Sequence, residues 1–576
     1  MRHYFTKLLN QCRLRYAKLA RSLQPEDLSD VMITRAIKHL KDDLTDDWYP
    51  DPLRWNDILR KDFLKAQLLP KGNKRTVKHE AEKLNILDLP KKNGTLRYSL
   101  EQSLVDRFVY QLIASELGLQ LDGIISNRVL SHRVRPPHHG GKSHKKLFKQ
   151  GTSQWSNFER YASKDCEDLY VVEADVQTYY DSISAKIVRS SISEAIESAG
   201  LSPQEKIRLH RLNSTLYQML SKWTFQDGKG LPQNRDASSF LANMVMREVD
   251  DAMIDDGYDY FRYMDDMRIR CKTHSDARKA MANLCSKLRR IGLSLNSKKT
   301  VIWEPGSKWH QKQEAPSDPR VRDISNMWQG KSIQLKAASI PYIQSLTEDT
   351  IRNGDFDSRT FRFCVNRLEK IRLCPDIYFN LESSEDLCRL AIESIAKNGH
   401  AIDYICRLIY ALRPMLPNIQ AIEDLLIVSS EYLHYWQMHR LSQLLLHLHN
   451  APGDYRCSDT LIREARKSAL NGQSLKIPRE LAFIILGCAG ENRDREKIAD
   501  IFEGGLESHQ EQRAALIAIH QLDYVRFVAD KVANNIRPHL RGALRAHKKF
   551  LLGDYMLLPS DISINEFNNN TNDYTG

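Results

Sequence analysis

The sequence predicts an α/β module on the amino-terminal side and an all-α region behind it. Two observations lead to this fold class. Between residues 66 and 305, short strand-like segments alternate with amphipathic helices, whereas from 356 to 555 only the helical period of apolar residues remains. At 576 residues the chain is also too long for one ordinary domain, so two or three domains are expected.

The elements of the α/β module are recognised by their apolar periods and by the turn residues that bound them. Asn93-Gly94, for example, is a typical two-residue hairpin turn between two strand-like runs. The predicted elements are a hairpin at 84–98, a helix at Gln102–Leu119, a polar loop at 131–155, a strand at Leu169–Ala174, a second hairpin at Asp259–Arg270, a helix at Ser275–Ile291 and a strand at Leu293–Trp303.

Composition indicates a globular protein with a polyanionic partner. Hydrophobic residues make up 41% of the chain and charged residues 27%, and the net charge is +12. The basic residues are concentrated in the first 150 positions, which favours nucleic acid over a membrane. No apolar run approaches the roughly 18 residues that a membrane span needs, so we expect no membrane association.

The cysteines and the first residues bear on the compartment. The ten cysteines form no C-x-x-C pair and no Cys/His ligand spacing, which argues against a zinc ribbon or a disulfide framework. This usage fits a reducing cytosol, and we expect a cytoplasmic protein. The first 25 residues contain no acid and several basic residues. An amphipathic first helix is the favoured explanation, with a mitochondrial transit peptide as the alternative.

Two adjacent carboxylates, Asp265 and Asp266, form the predicted tight turn of the second hairpin. Like charges so close repel each other, and burial adds a desolvation cost, so such a pair needs compensation, which a divalent cation would supply. A third carboxylate, Asp175, ends the strand predicted at Leu169–Ala174. If the strands are neighbours, the three carboxylates could bind two Mg²⁺ ions, because hard cations prefer oxygen ligands.

A Gly/Pro turn between these segments leads into a predicted helix. Gly230-Leu-Pro-Gln233 is followed by Asn234 and Arg235, and Asp236 is the expected helix cap. Polar side chains at a helix amino terminus can bind phosphate, so this turn is a candidate nucleotide contact.

Together these segments resemble the fingers and palm of a reverse transcriptase, which has a right-hand polymerase fold. Six blocks agree with the family in order and spacing over about residues 60–305. They are Asp175 for motif A, Gly230–Gln233 with Ala242-Asn243 for motif B, Tyr263–Asp266 for motif C, Ile291–Thr300 for motif D, Pro90–Arg97 for the fingers hairpin and Ser126–Arg133 for the next fingers block.

The resemblance implies catalytic and metal-binding roles. Asp175, Asp265 and Asp266 would bind Mg²⁺, with Mn²⁺ as an alternative ion. Tyr180, five residues after Asp175, occupies the position of the steric gate, where an aromatic ring would exclude a ribose 2′-hydroxyl. A simple core position is the competing explanation for Tyr180, but the adjacent Tyr179 must point elsewhere. We therefore expect a preference for dNTPs.

The resemblance also implies contacts to the incoming nucleotide. Gln233 would touch the nucleotide, and Lys299 could protonate the leaving pyrophosphate, although a solvated lysine explains Lys299 nearly as well. Lys92 and Arg97 would bind the triphosphate, Arg97 more firmly because its planar fork suits phosphate. One residue departs from the family, since Asn234 stands where a glycine usually follows the motif B glutamine. That change puts ordinary processive copying in doubt.

The helical carboxy-terminal region narrows the class of reverse transcriptase. The sequence has no retron-type Val-Thr-Gly block after motif D, no maturase or HNH cluster, and no RNase H or integrase signature. A polymerase module joined to a helical region is similar to bacterial abortive-infection and other defence-associated reverse transcriptases. That resemblance implies an RNA-directed or template-independent DNA polymerase in anti-phage defence, which often oligomerises and in some cases starts DNA from a protein tyrosine.

Two other functions stay open. One is a mobile-element reverse transcriptase that copies a structured RNA, like that of a retron or group II intron. The other is a catalytically inert RNA-binding scaffold, although an inert protein has no reason to keep three desolvated carboxylates. The expected partners are an RNA template or structural non-coding RNA, the DNA product, dNTPs and further copies of the chain. Arg440 and His447 also fit the loose spacing of HEPN ribonucleases, a less favoured reading.

Five segments are predicted along the chain. They are an amino-terminal helical segment at 1–65, the fingers and palm at 66–305, a linker or thumb-like segment at 306–355, a helical repeat-like (HEAT-like) domain at 356–555 and a disordered tail at 556–576.

Overall fold

The computed structural model describes most of the chain. The described residues are 23–49, 51, 55, 58–69, 77, 79–82, 85–92, 94–136, 144–224, 228–307, 318–329, 332–372, 382–450, 455–471, 476–506 and 508–520. The predicted first helix and the predicted tail lie outside them. The chain separates into two compact units, the first comprising Met1–Pro50, Leu59–Leu87 and Ser99–Ala315, and the second Asp51–Ile58, Asp88–Tyr98 and Pro316–Gly576.

The first unit is an α/β structure, as the sequence predicts. Its described helices are α1 (Asp30–Asp43), α2 (Lys61–Leu68), α3 (Leu104–Leu121), α4 (Gly151–Ser163), α5 (Tyr179–Ser182), α6 (Ala185–Ser198), α7 (Pro203–Trp223), α8 (Asp236–Asp255) and α9 (His274–Arg290). Its sheet strands are β3 (Tyr170–Asp175), β4 (Asp259–Tyr263), β5 (Asp266–Cys271) and β6 (Val301–Trp303). A separate hairpin, β1 (Asn85–Pro90) and β2 (Leu96–Glu101), confirms the predicted one, and its tip groups with the second unit.

Helix α3 forms the centre of the first unit. It is buried on nearly all sides, from Leu104 to Leu121, and packs against α1, α7 and α8. Its buried residues include polar ones that need partners, and two of these residues, Arg107 and Glu116, form ion pairs with other elements of this unit. Ser103 caps its amino terminus by accepting a hydrogen bond from the Asp106 backbone NH at 3.2 Å.

The four sheet strands lie in the order β4-β5-β3-β6, and neighbours pair in antiparallel fashion. Asp175 at the end of β3 is paired with Asp266 at the start of β5, and Tyr263 at the end of β4 is also paired with Asp266. The strands that carry the three acids are therefore neighbours, which is the condition that the sequence left open.

The two faces of this sheet carry different helices. On one face, Tyr260 points to α8, and α9 packs against β3, β5 and α8. On the other face, Phe261 packs on Phe158 of α4. Because side chains alternate along a strand, the register places Asp266 and its partner Asp175 on the face of Phe261, opposite α8 and α9.

Two predicted details of this sheet are wrong. The turn of the second hairpin consists of Met264 and Asp265, and Asp266 already belongs to β5, so the turn is not an Asp-Asp turn. The strand predicted at Leu293–Trp303 is reduced to β6 and a bridge from Leu295 to Val176. The Asn296 side chain accepts a hydrogen bond from the Lys298 NH at 3.2 Å, and this local turn takes the chain out of the sheet.

The second unit is helical apart from its share of the β1–β2 hairpin, within the part of the chain that the structure describes. Its helices are α10 (Pro319–Gln329), α11 (Ile333–Ala338), α12 (Ile340–Arg352), α13 (Arg359–Arg372), α14 (Glu382–Ser394), α15 (Ile402–Ala411), α16 (Leu416–Val428), α17 (Tyr435–Asn450), α18 (Asp459–Asn471), α19 (Arg479–Ala489), α20 (Asn492–Gly504) and α21 (His509–His520).

The packing order in the second unit is regular. From α12 onward each helix packs against the next but one, so that α13, α15, α17, α19 and α21 form one row and α12, α14, α16, α18 and α20 a second row. Arg440 and His447 are both buried in α17, where His447 packs on the ring of Tyr410 and Arg440 pairs with Asp403 at 3.1 Å. Both side chains are therefore parts of the helical core.

Candidate active site

Three acidic residues occupy neighbouring positions at one end of the central strands of the sheet. Asp175 and Asp266 are paired across neighbouring strands, and Asp265 lies in the turn beside them. Burial raises the pKa of Asp266 to about 7, with further contributions from the carboxylates of Asp265 and Asp175. Burial and the Asp175 carboxylate also raise the pKa of Asp265. The cluster thus carries a negative charge that the protein only partly compensates, and it favours a cation.

A lysine provides part of the compensation. The Lys299 ammonium donates to Asp175 Oδ2 at 2.9 Å, and the Asn296 amide donates to Asp175 Oδ1 at 3.0 Å. Burial lowers the pKa of Lys299, but the hydrogen bond to Asp175 and the nearby carboxylates outweigh it, so the net pKa is raised. The Lys299 ammonium is therefore the positive charge that compensates Asp175 in this arrangement.

The turn that carries Asp265 has an unfavourable backbone. Met264 has a φ of 56°, in the left-handed region, which costs a residue with a side chain about 1–2 kcal/mol. Two hydrogen bonds fix it, because the Met264 NH donates to Ser131 Oγ at 2.8 Å and the Met264 carbonyl accepts from Arg262 Nη1 at 2.9 Å. The position of the acidic pair therefore depends on Ser131 and Arg262.

Arg262 lies in a buried polar network behind the turn. Its guanidinium is fully buried and donates to both oxygens of Asp250 in α8, each at 2.7 Å. It also donates to Asn243 Oδ1 at 2.9 Å, and the Asn243 amide donates to the Ser131 carbonyl at 2.9 Å. Such a planar fork fixes both partners at once, which a flexible lysine does not do.

This network holds residues that sequence reasoning missed. Asp250 and Arg262 were not among the predicted site residues, and Ser131 and Asn243 were included only as parts of motifs. The sequence did contain a signal for Arg262. It lies two residues after Tyr260 on a strand, so the two side chains must lie on the same face of the sheet. An arginine on a buried strand face requires an acidic partner. Alternation alone could not identify that partner as Asp250.

The turn before α8 has a second left-handed residue. Asn234 has a φ of 56°, a conformation that glycine adopts freely and that asparagine tolerates better than other residues. This explains how asparagine can replace the usual glycine without a change of backbone. Next to it, Gln233 donates to Asp181 Oδ1 at 2.5 Å.

Helix α8 is capped differently from the sequence prediction. Asp236 is the first residue of the helix rather than its cap, and no side chain of Arg235 caps it. Instead, the Asp236 NH donates at 2.7 Å to Asp43 Oδ1, from the last residue of α1. The predicted cap was wrong because a residue far away in sequence satisfies this NH.

The two adjacent tyrosines point in different directions, as expected. Tyr179 is buried and donates to the Ala242 carbonyl at 3.1 Å. Tyr180 is half-buried, and its hydroxyl is 3.1 Å from Ser239 Oγ of α8. The contacts of Tyr180 bring it to the amino-terminal part of α8, the helix that follows Gln233 and Asn234. Its role as a steric gate stays a prediction.

The predicted triphosphate contacts lie on the β1–β2 hairpin. Lys92 and Arg97 belong to the tip that groups with the second unit, and both are exposed. Lys92 forms an ion pair with Asp357 at 3.6 Å. Their contact with a triphosphate stays a prediction.

The predicted Mg²⁺ site can be tested against the side chains. Among the described residues, no three carboxylate, imidazole or thiolate side chains already stand close enough together to enclose an ion. The donor set nevertheless fits, because Asp175, Asp265 and Asp266 offer hard oxygen ligands, burial and neighbouring carboxylates raise the pKa values of Asp265 and Asp266, and the Lys299 ammonium already pairs with Asp175. Binding would require the three carboxylates to move closer together and Lys299 to leave Asp175.

An antiparallel sheet with an acidic hairpin turn, a third aspartate on the neighbouring strand and helices on the opposite face is typical of the palm of a nucleic-acid polymerase. Residues 90–338 match the family model described as reverse transcriptase (RNA-dependent DNA polymerase). The chain therefore contains a reverse transcriptase domain. No curated protein matches the sequence significantly.

Solved structures of polymerases are similar to the chain at low sequence identity. The telomerase of Candida albicans, solved with a fragment of telomeric RNA, shares 9% identity and has a TM-score of 0.30, with 64% of each chain covered. The telomerase of Candida tropicalis without ligand shares 12% identity at a TM-score of 0.30, with 72% of this chain and 67% of that chain covered. An RNA-dependent RNA polymerase of a human picobirnavirus shares 11% at a TM-score of 0.26, with 56% and 61% covered.

Proposed function

We propose that the protein is a DNA polymerase that adds dNTPs to a 3′ or protein hydroxyl, either directed by RNA or without a template, in anti-phage defence. One observation carries the catalytic part of this proposal: Asp175 and Asp266 are paired on neighbouring strands with Asp265 in the adjoining turn. A reverse transcriptase domain at residues 90–338 supports it.

Each residue of the cluster has a role in this proposal. Asp175, Asp265 and Asp266 would bind two Mg²⁺ ions, which when bound activate the attacking hydroxyl and stabilise the leaving oxygen. Lys299, once released from Asp175, would donate its proton to an oxygen of the leaving pyrophosphate. Its raised pKa keeps that proton in place before the reaction.

The nucleotide would be selected beside α8. Tyr180 would place its ring against the sugar and exclude the ribose 2′-hydroxyl, and Gln233 would contact the nucleotide. Lys92 and Arg97 would bind the triphosphate. The exposed positions of Lys92 and Arg97 are compatible with an anionic ligand.

The second unit would serve as a scaffold. We assign it as a HEAT-like repeat array, supported by its two rows of helices with next-but-one packing. The resemblance of the sequence to defence-associated reverse transcriptases motivates the proposals of homo-oligomers, of a cytoplasmic location and of abortive infection as the biological outcome. Within the described residues, no helix is both long enough and apolar enough to cross a membrane.

The decisive experiment is DNA synthesis by the purified full-length chain with Mg²⁺ and dNTPs. The Asp265→Ala, Asp266→Ala double variant should lose synthesis. A matched control is Asp255→Ala with Asp256→Ala, which removes an exposed acidic pair at the end of α8 in the same unit. Equal synthesis by the first variant and the wild type would disprove the polymerase assignment, and loss in the control would show that the assay reports charge or folding instead.

Sequencing of the copurifying nucleic acid and of the product distinguishes the modes of synthesis. DNA complementary to one RNA indicates templated copying, as in defence or a mobile element. Random or homopolymeric DNA indicates synthesis without a template, and DNA bound covalently to the protein indicates a protein primer. Absence of DNA synthesis together with bound RNA would favour the inert scaffold.

A further inference from the structure

Helix α9 presents an exposed face that bears positive charge and no carboxylate. Arg278 and Lys279 lie in its second turn and Arg289 and Arg290 at its end, and all four are exposed. The one acid of the helix is Asp276, in the first turn, where its backbone NH and side chain both bond to Thr273. The residues between the two basic groups on this face are small or uncharged.

The four cations have no partner among the residues that the structure describes. No ion pair and no side-chain hydrogen bond forms between Arg278, Lys279, Arg289 or Arg290 and a described residue, in contrast to Lys287 of the same helix, which pairs with Asp256 at 2.8 Å. The helix dipole favours cations in the last turn, where Arg289 and Arg290 lie. It does not stabilise Arg278 and Lys279, which lie in the second turn. Their charge therefore points to an external anion.

The buried face of α9 restricts what that anion can be. Ala277, Ala280, Leu284 and Leu288 are all buried, and the helix packs on β3, β5 and α8. An amphipathic helix that lies in a membrane needs its apolar face free, and here that face is occupied. A linear polyanion fits better, because Arg278 to Arg290 span about 18 Å at ~1.5 Å per residue. Several consecutive phosphates of one nucleic-acid strand fit along that length.

The basic surface of α9 lies apart from the acidic cluster, but the chain segment that follows the helix leads back to that cluster. Helix α9 lies on the sheet face opposite Asp175 and Asp266, as the strand register shows. After its end the chain returns to the edge of the site, where the Gln177 NH donates to the Ser294 carbonyl at 2.9 Å and the Asn296 NH to the Asp175 carbonyl at 2.7 Å. The carboxy-terminal end of the basic face is therefore only a few residues along the chain from a segment that bonds to the backbone of Asp175.

We propose that the exposed face of α9, through Arg278, Lys279, Arg289 and Arg290, binds the phosphate backbone of a single nucleic-acid strand on the back of the palm. The partner class rests on the proposed function, since a polymerase holds both a template and a product, whereas the charge and geometry of the surface do not depend on catalysis. RNA and DNA share the phosphodiester chemistry that this surface would recognise.

The test is the salt dependence of binding, measured by fluorescence anisotropy with labelled single-stranded RNA and DNA 30-mers and the full-length chain. Replacement of all four residues by Gln should weaken binding and reduce the slope of log K against log salt by up to about 2.8, because a single strand contributes ~0.7 for each neutralised phosphate. The arm that changes more identifies RNA or DNA as the strand. An unchanged slope on both strands overturns the proposal.

Two control variants make the result specific. Lys61→Gln with Lys65→Gln removes two exposed cations that are already paired with Asp30, so the slope should stay as in the wild type. Replacement of Arg278, Arg289 and Arg290 by Lys keeps the charge and should keep the slope. A loss of slope in either control would overturn the proposal, because it would report general charge or folding.

The same variants separate this inference from the polymerase assignment and from other partners. In the Asp265→Ala, Asp266→Ala background the four substitutions should reduce the slope by the same amount, so a failure of catalysis leaves the binding result intact. If the wild-type enzyme synthesises DNA but the four substitutions leave the salt slope unchanged, this inference is refuted and the polymerase assignment stands. Loss of binding to phosphatidylserine vesicles, or of self-association in mass photometry, with nucleic-acid binding unchanged would also refute it.

Discussion

Replacement of Arg262 by Lys tests whether the buried network positions the acidic turn. The substitution keeps the positive charge beside Asp250 but removes the planar fork, so that the chain loses some of four hydrogen bonds: two to Asp250, one to Asn243 and one to the Met264 carbonyl. If two are lost at about 1–1.5 kcal/mol each, the free energy of unfolding falls by about 2–3 kcal/mol. Full removal of the charge would cost about 3–5 kcal/mol, because Asp250 would stay buried and unpaired.

The catalytic effect should exceed what this loss of stability explains. Without the bond to its carbonyl, Met264 can leave the left-handed conformation, and Asp265 and Asp266 then shift. A displacement of about 1 Å in a catalytic group can reduce the rate about 100-fold, so kcat should fall by roughly that factor while KM for dNTP changes little. Urea unfolding gives the stability, and steady-state dNTP incorporation at a temperature where the variant is folded gives kcat and KM.

Arg268→Lys is the matched control. Arg268 lies in β5 of the same hairpin, is also buried and contacts Glu159 at 3.3 Å and Glu173 at 3.5 Å, whereas the bond to the Met264 carbonyl comes from Arg262. Lysine at this position keeps the positive charge that partly offsets the raised pKa of Asp266. The Arg268→Lys variant should be less stable than the wild type but should keep the wild-type kcat. The positioning argument is refuted if both variants lose kcat equally, or if Arg262→Lys unfolds more easily but keeps the wild-type kcat.

Three further predictions concern the rest of the site. Asp266→Asn should abolish DNA synthesis yet leave the Tm without Mg²⁺ equal or higher, because it relieves charge repulsion, and it should reduce the rise in Tm that Mg²⁺ produces; a wild-type response to Mg²⁺ would contradict the ligand role. Asn234→Ala should lower the free energy of unfolding by about 1 kcal/mol and Asn234→Gly should leave it nearly unchanged, since only the former is strained at this φ; equal losses in urea unfolding would refute this. Tyr180→Ala should raise incorporation of rNTPs relative to dNTPs, whereas Tyr180→Phe should not, and an unchanged ratio would exclude the gate.

The sequence was sufficient for the parts of the fold that depend on local pattern. The strands of the β1–β2 hairpin, the helix now seen at Leu104–Leu121 and the strands of the acidic hairpin follow from turn residues and apolar periods, and the structure confirms all three. Asp175 could be joined to Asp265 and Asp266 only on the condition that their strands were neighbours. Pairing of β3 with β5 brings together residues about 90 positions apart, and no local pattern encodes that.

The parts that the sequence could not give depend on contacts between distant residues. Asp43 accepts a hydrogen bond from the first NH of α8, and Asp250 accepts from Arg262, although nothing in the sequence distinguishes either acid from others in its helix.

The strand predicted at Leu293–Trp303 was wrong for a local reason. The side chain of Asn296 bonds to the backbone two residues later, and this turn competes with the apolar pattern of a strand. Propensity cannot decide between such alternatives when tertiary contacts settle them.

Backbone strain explains why the site resists prediction more than the fold does. Of the seven residues other than glycine with positive φ in the described part of the chain, four belong to the site: His132 beside Ser131, Thr178 between β3 and Tyr179, Asn234 and Met264. The left-handed backbone conformation of each residue is unfavourable, by about 1–2 kcal/mol for residues such as Met264. It persists only because the surrounding structure holds it in place. Local preference and native structure disagree at these positions. The hydrogen bonds of Ser131 and Arg262 to the turn therefore carry the positioning of the carboxylates, and a variant that keeps every acid but loses those bonds should be folded and slow.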